Sequence, residues 1–269
     1  HPVPGDWPDN AAIRGQQDIN GWFTAANLFP NGAKSPTPNM PDTIGTREDF
    51  EHMVTGYDAE IAYTDHQIRR VLDALEAQGV LDETVVIISA DHGEAMGEHG
   101  VYGDHVCADE CINKVPLIIH WPGVTTPGSV CEDYLYNVDF VATLIELTGG
   151  QIPEFYDGRS FADGMGTGSC KLHDYLVWGH GLYALQRTVR TPRNLMTRTY
   201  DNFGYTFDPV ELYDMEKDPY QTRNLRDEQP ETVNQMDHYL AEWLHEQQAK
   251  PYSIPDPLQV EWQERQKGS

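Results

Sequence analysis

Basic residues are scarce in this chain. Its 269 residues hold 18 Lys and Arg against 43 Asp and Glu, a formal net charge of −25. A surface of that sign repels phosphate backbones and anionic headgroups, which argues against nucleic acid or an acidic membrane as partner. Long apolar runs are missing too, and no stretch reaches the length of a membrane span. No signal-peptide pattern is visible. That says nothing of compartment, because the chain opens on His1-Pro2-Val3-Pro4-Gly5 and reads as the interior of a longer protein. Cysteine is sparse: Cys107, Cys111, Cys131 and Cys170 allow two disulfides or none, and Cys107-x3-Cys111 lacks the further ligands of a zinc finger. No internal repeat is present. What remains is a globular chain long enough for one large or two modest domains, wearing a solvated acidic coat.

Its most informative stretch is Val85-Val86-Ile87-Ile88-Ser89-Ala90-Asp91-His92-Gly93-Glu94. The short, nearly continuous apolar run predicts a strand buried on both faces. In an open α/β sheet the carboxyl end of such a strand faces the ligand crevice, so Asp91 and His92 stand where chemistry is presented. Gly93 allows a sharp turn there. The polar, glycine-rich continuation carries Glu98, His99, Asp104 and His105. Alone, Asp-His-Gly is an ordinary turn.

The rest of the chain alternates. Thr46, with Asp49 in capping-box spacing, predicts a long helix whose stripe is Phe50, Met53, Val54, Tyr57, Ile61, Ile68, Val71, Leu72 and Leu75, ended by Gly79. Residues 1–45, rich in Pro, Gly and Asn, read as a surface excursion with a short helix near Ala11–Gln17. Val115–Ile119 predicts a second buried strand, Cys131–Tyr136 another, and Asn137 the cap of a helix running to Leu147. Alternation of this kind implies a largely parallel sheet covered by helices. Beyond about Asp163 short strand candidates predict a small antiparallel sheet, with a helix from Pro230 docked on it through Val233, Met236, Leu240, Trp243 and Leu244. The tail from Lys250 reads as extended over the surface. The expected domains are therefore 1–162, the α/β part, and 163–269, a small α+β part with its tail.

Taken together, Asp91-His92-Gly93-Glu94, Gly97-Glu98-His99-Gly100, Gly103-Asp104-His105 and Lys114-Val115-Pro116-Leu117-Ile118-Ile119 before Trp121-Pro122-Gly123 resemble the sulfatase family of the alkaline phosphatase-like superfamily. The upstream Tyr57-x-Ala59-x-Ile61-x3-Asp65 and the later Glu211-Leu212-Tyr213-Asp214 with Asp218-Pro219 and Asn224-Leu225 resemble that family as well. The resemblance implies an alkaline phosphatase-like sandwich with a mostly parallel sheet, and a small C-terminal antiparallel sheet with a packed helix. It implies Asp91 and His92 as the later pair of ligands to one divalent cation, Ca2+ first and Mn2+ or Mg2+ as alternatives. It further implies a formylglycine nucleophile made within a Cys/Ser-x-Pro-x-Arg motif. No cysteine here has that spacing, so the nucleophile and the earlier ligands are expected from a missing N-terminal half or a partner chain.

The expected activity is hydrolysis of a sulfate ester, in a periplasmic or secreted protein. His105 is the candidate acid for the departing alcohol or donor to sulfate oxygens, against a loop histidine bonded to Asp104. The family loop carries Lys near this point, where this chain has Asp104 and His105. His99 reads as structural; His180 and Arg187 are candidate pocket liners. The alternatives are a phosphonate monoester hydrolase or phosphodiesterase of the same superfamily, or a non-catalytic binding member.

Overall fold

The computed structural model describes residues 47–205 and 207–268. Thr46, the expected cap of the first helix, and the segment read as a surface excursion lie outside them. Helix α1 spans Arg47–Ala77 and ends as its sequence requires: Gly79 adopts φ +70°, and Val80 N–H reaches back to the Leu75 carbonyl at 3.1 Å. Only the first part of its apolar stripe is covered. Phe50, Met53 and Val54 are buried, whereas Ile61 and Val71 are exposed.

Strands β1 (Val86–Ser89) and β4 (Leu117–His120) pair antiparallel, Val86 opposite His120 and Ser89 opposite Leu117. This departs from the expected parallel strands buried on both faces. Every strand pairing among the described residues is antiparallel, and β1 and β4 are half-buried, with Ile118 59% exposed. The apolar run specified a strand, but burial requires layers on both faces, and a two-stranded ladder lacks them. Between these strands the chain forms a short ladder of β2 (Ala95–Met96) and β3 (Tyr102–Asp104), then a helical turn α2 (Glu110–Asn113).

Helix α3 covers Asn137–Leu147. Its N-cap is Tyr136 and not Asn137: Asp139 at the third helical position accepts the Tyr136 N–H at 2.7 Å. The expected strand over Cys131–Tyr136 is reduced to a single bridge, Tyr134 to His173.

A four-stranded antiparallel meander follows, β5 (Leu176–His180), β6 (Leu185–Arg190), β7 (Asn194–Asp201) and β8 (Val210–Asp214), in sequence order. Helix α4 (Pro230–Ala249) lays Met236 and Leu240 onto Val177, Val189, Met196, Leu212 and Leu225, with Val233, Trp243 and Leu244 around them. This is the predicted sheet with its docked helix, and it forms a dense core. The tail departs from expectation, because Pro257–Gly268 is a helix, α5. Asp256 accepts the Leu258 N–H at 3.1 Å, an N-cap ahead of Pro257 that polar composition concealed. Arg265 holds α5 to the sheet through the Tyr183 carbonyl at 2.7 Å.

Candidate active site

The turn beyond β1 is fixed by close backbone approach. Gly93 donates its N–H to the Ile112 carbonyl at 2.7 Å, and a Cβ at that position would lie 2.1 Å from the Cys111 carbonyl oxygen. No side chain fits, so glycine is obligatory where the strand end meets α2. Ser89 adds a second tie, its hydroxyl donating to the Pro116 carbonyl at 2.9 Å.

Three donors converge past that turn. The His92 and His105 rings lie 4.1 Å apart, Glu94 Oε2 is 3.6 Å from His105 Nδ1, and one donor atom from each of the three falls within 4.8 Å of the others. His92 Nδ1 lies 2.8 Å from the Gly93 carbonyl. A carbonyl only accepts, so Nδ1 carries the proton in this bond and Nε2 keeps its lone pair free. His105 Nδ1 is buried without a hydrogen-bond partner, a costly state that a cation or a proton acceptor would relieve.

Asp91 stands at the rim. Its carboxylate accepts the His92 N–H at 2.9 Å, its second oxygen lies 3.9 Å from His92 Nε2, and its side chain is 88% exposed. That backbone bond holds its pKa below the usual carboxylate range. Burial instead raises the pKa of Glu94, and likewise of Asp104, whose carboxylate accepts the His105 N–H at 2.7 Å. Imidazole nitrogens with carboxylate oxygens suit a divalent cation, so these side chains fit one chemically. Sequence reasoning quoted Glu94 in the motif but gave it no role. The signal available was its place two residues beyond His92.

His99 belongs to a different arrangement. Burial alone would strip its proton, but Asp109 at 3.2 Å, Glu211 at 3.7 Å and nearby Glu98 outweigh it and hold the imidazolium up to about 10. Burial opposes the charge of Asp109 too, yet His99, Gln221 and the Glu110 N–H bring its pKa down to about 2. Through Glu211, which lies on β8, the imidazolium ties the site loop to the C-terminal sheet. Further ties run from Ala108: its N–H donates to Gln186 Oε1 at 2.8 Å, and its carbonyl accepts from Trp178 Nε1 and the Thr188 hydroxyl.

Of the two candidate pocket liners, Arg187 is on an open cavity of about 530 Å³ between the sheet and the tail, beside Trp243 and paired with Asp256. His180 accepts the Tyr183 N–H at 3.2 Å, and burial followed by the charges of His105 and Arg265 lowers its pKa to about 4.

Two family models match, sulfatase over residues 4–150 and the C-terminal region of N-sulphoglucosamine sulphohydrolase over residues 97–250. The chain belongs to the sulfatase family. It is 27% identical over 217 residues to an N-acetylglucosamine-6-O-sulfatase of Bacteroides thetaiotaomicron, a match covering 79% of this chain and 38% of that relative. The solved structure of a 2-O glycosaminoglycan sulfatase superposes with a TM-score of 0.66 at 26% identity, covering 79% of this chain and 48% of the other. A phosphonate monoester hydrolase from Silicibacter pomeroyi shares the fold, with a TM-score of 0.65 at 22% identity and coverage of 80% and 45%. The chain thus spans less than half the length of these three proteins, and its structural neighbours have the alkaline phosphatase-like fold. No described helix is long and apolar enough to cross a membrane.

Proposed function

We propose that this chain is the later part of a metal-dependent sulfatase that hydrolyses a sulfate ester. The observation that carries the reading is the convergence of His92, Glu94 and His105 past β1, with His105 Nδ1 buried without a hydrogen-bond partner. Asp91, His92 and Glu94 would hold one divalent cation, with Ca2+ the first candidate and Mn2+ or Mg2+ the alternatives. Bound there, the cation would supply Lewis-acid polarisation of the ester oxygens, and a formylglycine carried outside the described residues would supply the nucleophilic hydroxyl.

The work left to this chain is orientation and proton delivery. Gly93 accepts the His92 Nδ1–H and aims Nε2 at the donor cluster. His105 delivers the proton to the departing alcohol, held by its tilted packing against the His92 ring and by the Asp104 bond to its backbone N–H. With a net charge of −25 on the chain, a cation held there would be the positive centre that an anionic ester needs.

The reading divides the chain into 1–162, the later part of the catalytic α/β domain, and 163–269, the small subdomain with its tail. The mostly parallel sheet is then completed by segments outside the described residues, on this polypeptide or a partner chain. They would cover the exposed part of the α1 stripe and the open faces of β1 and β4. A periplasmic or secreted location accords with the bacterial relatives.

The test is metal binding and turnover in the intact protein. Asp91→Ala and Glu94→Ala should each lose the cation, measured by elemental analysis, together with activity on an aryl sulfate. Full occupancy in both variants would overturn the site. His105→Ala should slow poor leaving groups far more than good ones with the cation retained; equal loss on both would leave His105 a binding role only. The shared fold makes phosphonate monoester hydrolysis the second reading, and the ratio of turnover on matched sulfate and phosphonate esters separates the two.

A further inference from the structure

Away from the site, the stretch after β4 runs beside the stretch that enters β5. Asp133 Oδ2 accepts the N–H groups of Cys170 at 2.7 Å and Lys171 at 3.1 Å and the Ser169 hydroxyl at 3.0 Å. Tyr134 bridges to His173, and a Cβ on Gly168 would sit 3.0 Å from the Val130 carbonyl. Within this frame Cys131 and Cys170, both free thiols, hold their sulfurs 3.2 Å apart. Cys131 is exposed and Cys170 partly so, within reach of a small oxidant. Cys107 and Cys111 differ: Cys107 is buried, and Cys111 donates to Asp109 at 3.3 Å.

We propose that Cys131 and Cys170 form a disulfide when the protein meets an oxidising thiol–disulfide pool, joining the sequence after β4 to the entry of the C-terminal sheet. The backbones already run together, so closure to a bond of about 2.05 Å needs side-chain motion of roughly an ångström. Burial and the adjacent Cys131 sulfur push the Cys170 thiol up to about 12, which assigns the first attack to Cys131. The Cys131 thiolate attacks one sulfur of glutathione disulfide, whose S–S bond breaks to release one glutathione thiolate. Cys170, its proton lost to solvent, then attacks the Cys131 sulfur of the mixed disulfide and expels the second glutathione. Two protein thiols are oxidised, one glutathione disulfide is reduced to two thiols, and the two protons pass to the leaving thiolates.

The cross-link spans 39 residues of sequence and restricts the unfolded chain. It should raise Tm by roughly 5–10 °C. The purified protein is equilibrated at fixed ratios of oxidised to reduced glutathione, then denatured with iodoacetamide and mapped without reduction. The expected result is one cross-linked peptide pair joining Cys131 to Cys170, a mass about 2 Da below the reduced chain, and alkylated Cys107 and Cys111. The Tm rise should vanish on reduction and be absent from Cys131→Ser. Recovery of Cys131 and Cys170 as alkylated thiols or separate glutathione adducts in the oxidised pool would overturn the proposal, as would an undiminished Tm rise in Cys131→Ser. If that variant does not fold, the wild-type peptide map decides alone.

Discussion

The β1–β4 ladder and the β5–β8 sheet are both antiparallel and both rich in apolar residues, yet they differ in what lies against them. In the C-terminal sheet, Val189, Met196 and Leu212 are fully buried beneath α4. In the ladder, Ile118 on β4 stands open. Apolar sequence therefore makes a strand, and a covering layer makes a core. The candidate site joins these two conditions: its donors leave the open ladder, while the loop that follows them is stitched to the closed sheet through His99 and Ala108.

Breaking the stitch should have the largest effect. His99→Leu leaves Asp109 buried without its counter-charge and should cost about 3–5 kcal/mol, read from urea unfolding. The same pair sets a pH signature. His99 has its folded pKa raised, to about 10, so its contribution is complete below its unfolded value near 6.5 and fades as pH rises toward 10. Asp109 has its folded pKa lowered, to about 2, so its contribution is complete above about 4 and fades as pH falls toward 2. The wild type should lose stability from pH 6.5 to 10 through this pair. His99→Leu should flatten that limb, and an unchanged slope would remove the ion pair from the account.

Next in size, Leu212→Ala in the closed sheet should cost about 2–5 kcal/mol by denaturant titration. Gly93→Ala should cost about 1–3 kcal/mol, because the added Cβ meets a backbone carbonyl that cannot rotate away. Its donor cluster should also lose affinity for a divalent cation in calorimetric titration. The smallest effect belongs to the open ladder: Ile118→Ala in this chain should change stability by less than about 0.5 kcal/mol. If a further layer covers β4 in the intact protein, as proposed, that cost should rise toward the Leu212 value, which makes the pair of measurements a direct probe of that proposal.

The C-terminal half was legible in the sequence because its signals are local. The stripe from Val233 to Leu244 and the alternation of short strands with turns specify both partners of one core. The expected parallel sheet does not appear among the described residues, whose strand pairings are all antiparallel, because an apolar run specifies a strand and not the direction of its partner. Helix α5 escaped notice because its start is signalled by Asp256 and Pro257 in an otherwise polar tail. At the candidate site, the motif singles out Asp91, His92 and His105, and the structure sets the His92 and His105 rings side by side with Asp91 at their rim. Glu94 stands two residues beyond His92, a spacing that a solvated acid fills as readily as a donor, and only the fold of the loop sets it against His105.

The bonds at Ala108 carry a consequence for how the molecule opens. Its N–H is held by the buried Gln186 side chain, and its carbonyl takes two donors from β5 and β6. That amide is shielded from solvent deuterium as long as the Gln186 side chain, buried in the C-terminal sheet, keeps its place. The loop carrying His105 and the sheet more than seventy residues downstream are thus one cooperative unit in exchange. A lesion anywhere in that sheet would reach the donor cluster as a rise in its opening frequency, with no change in the residues that line it.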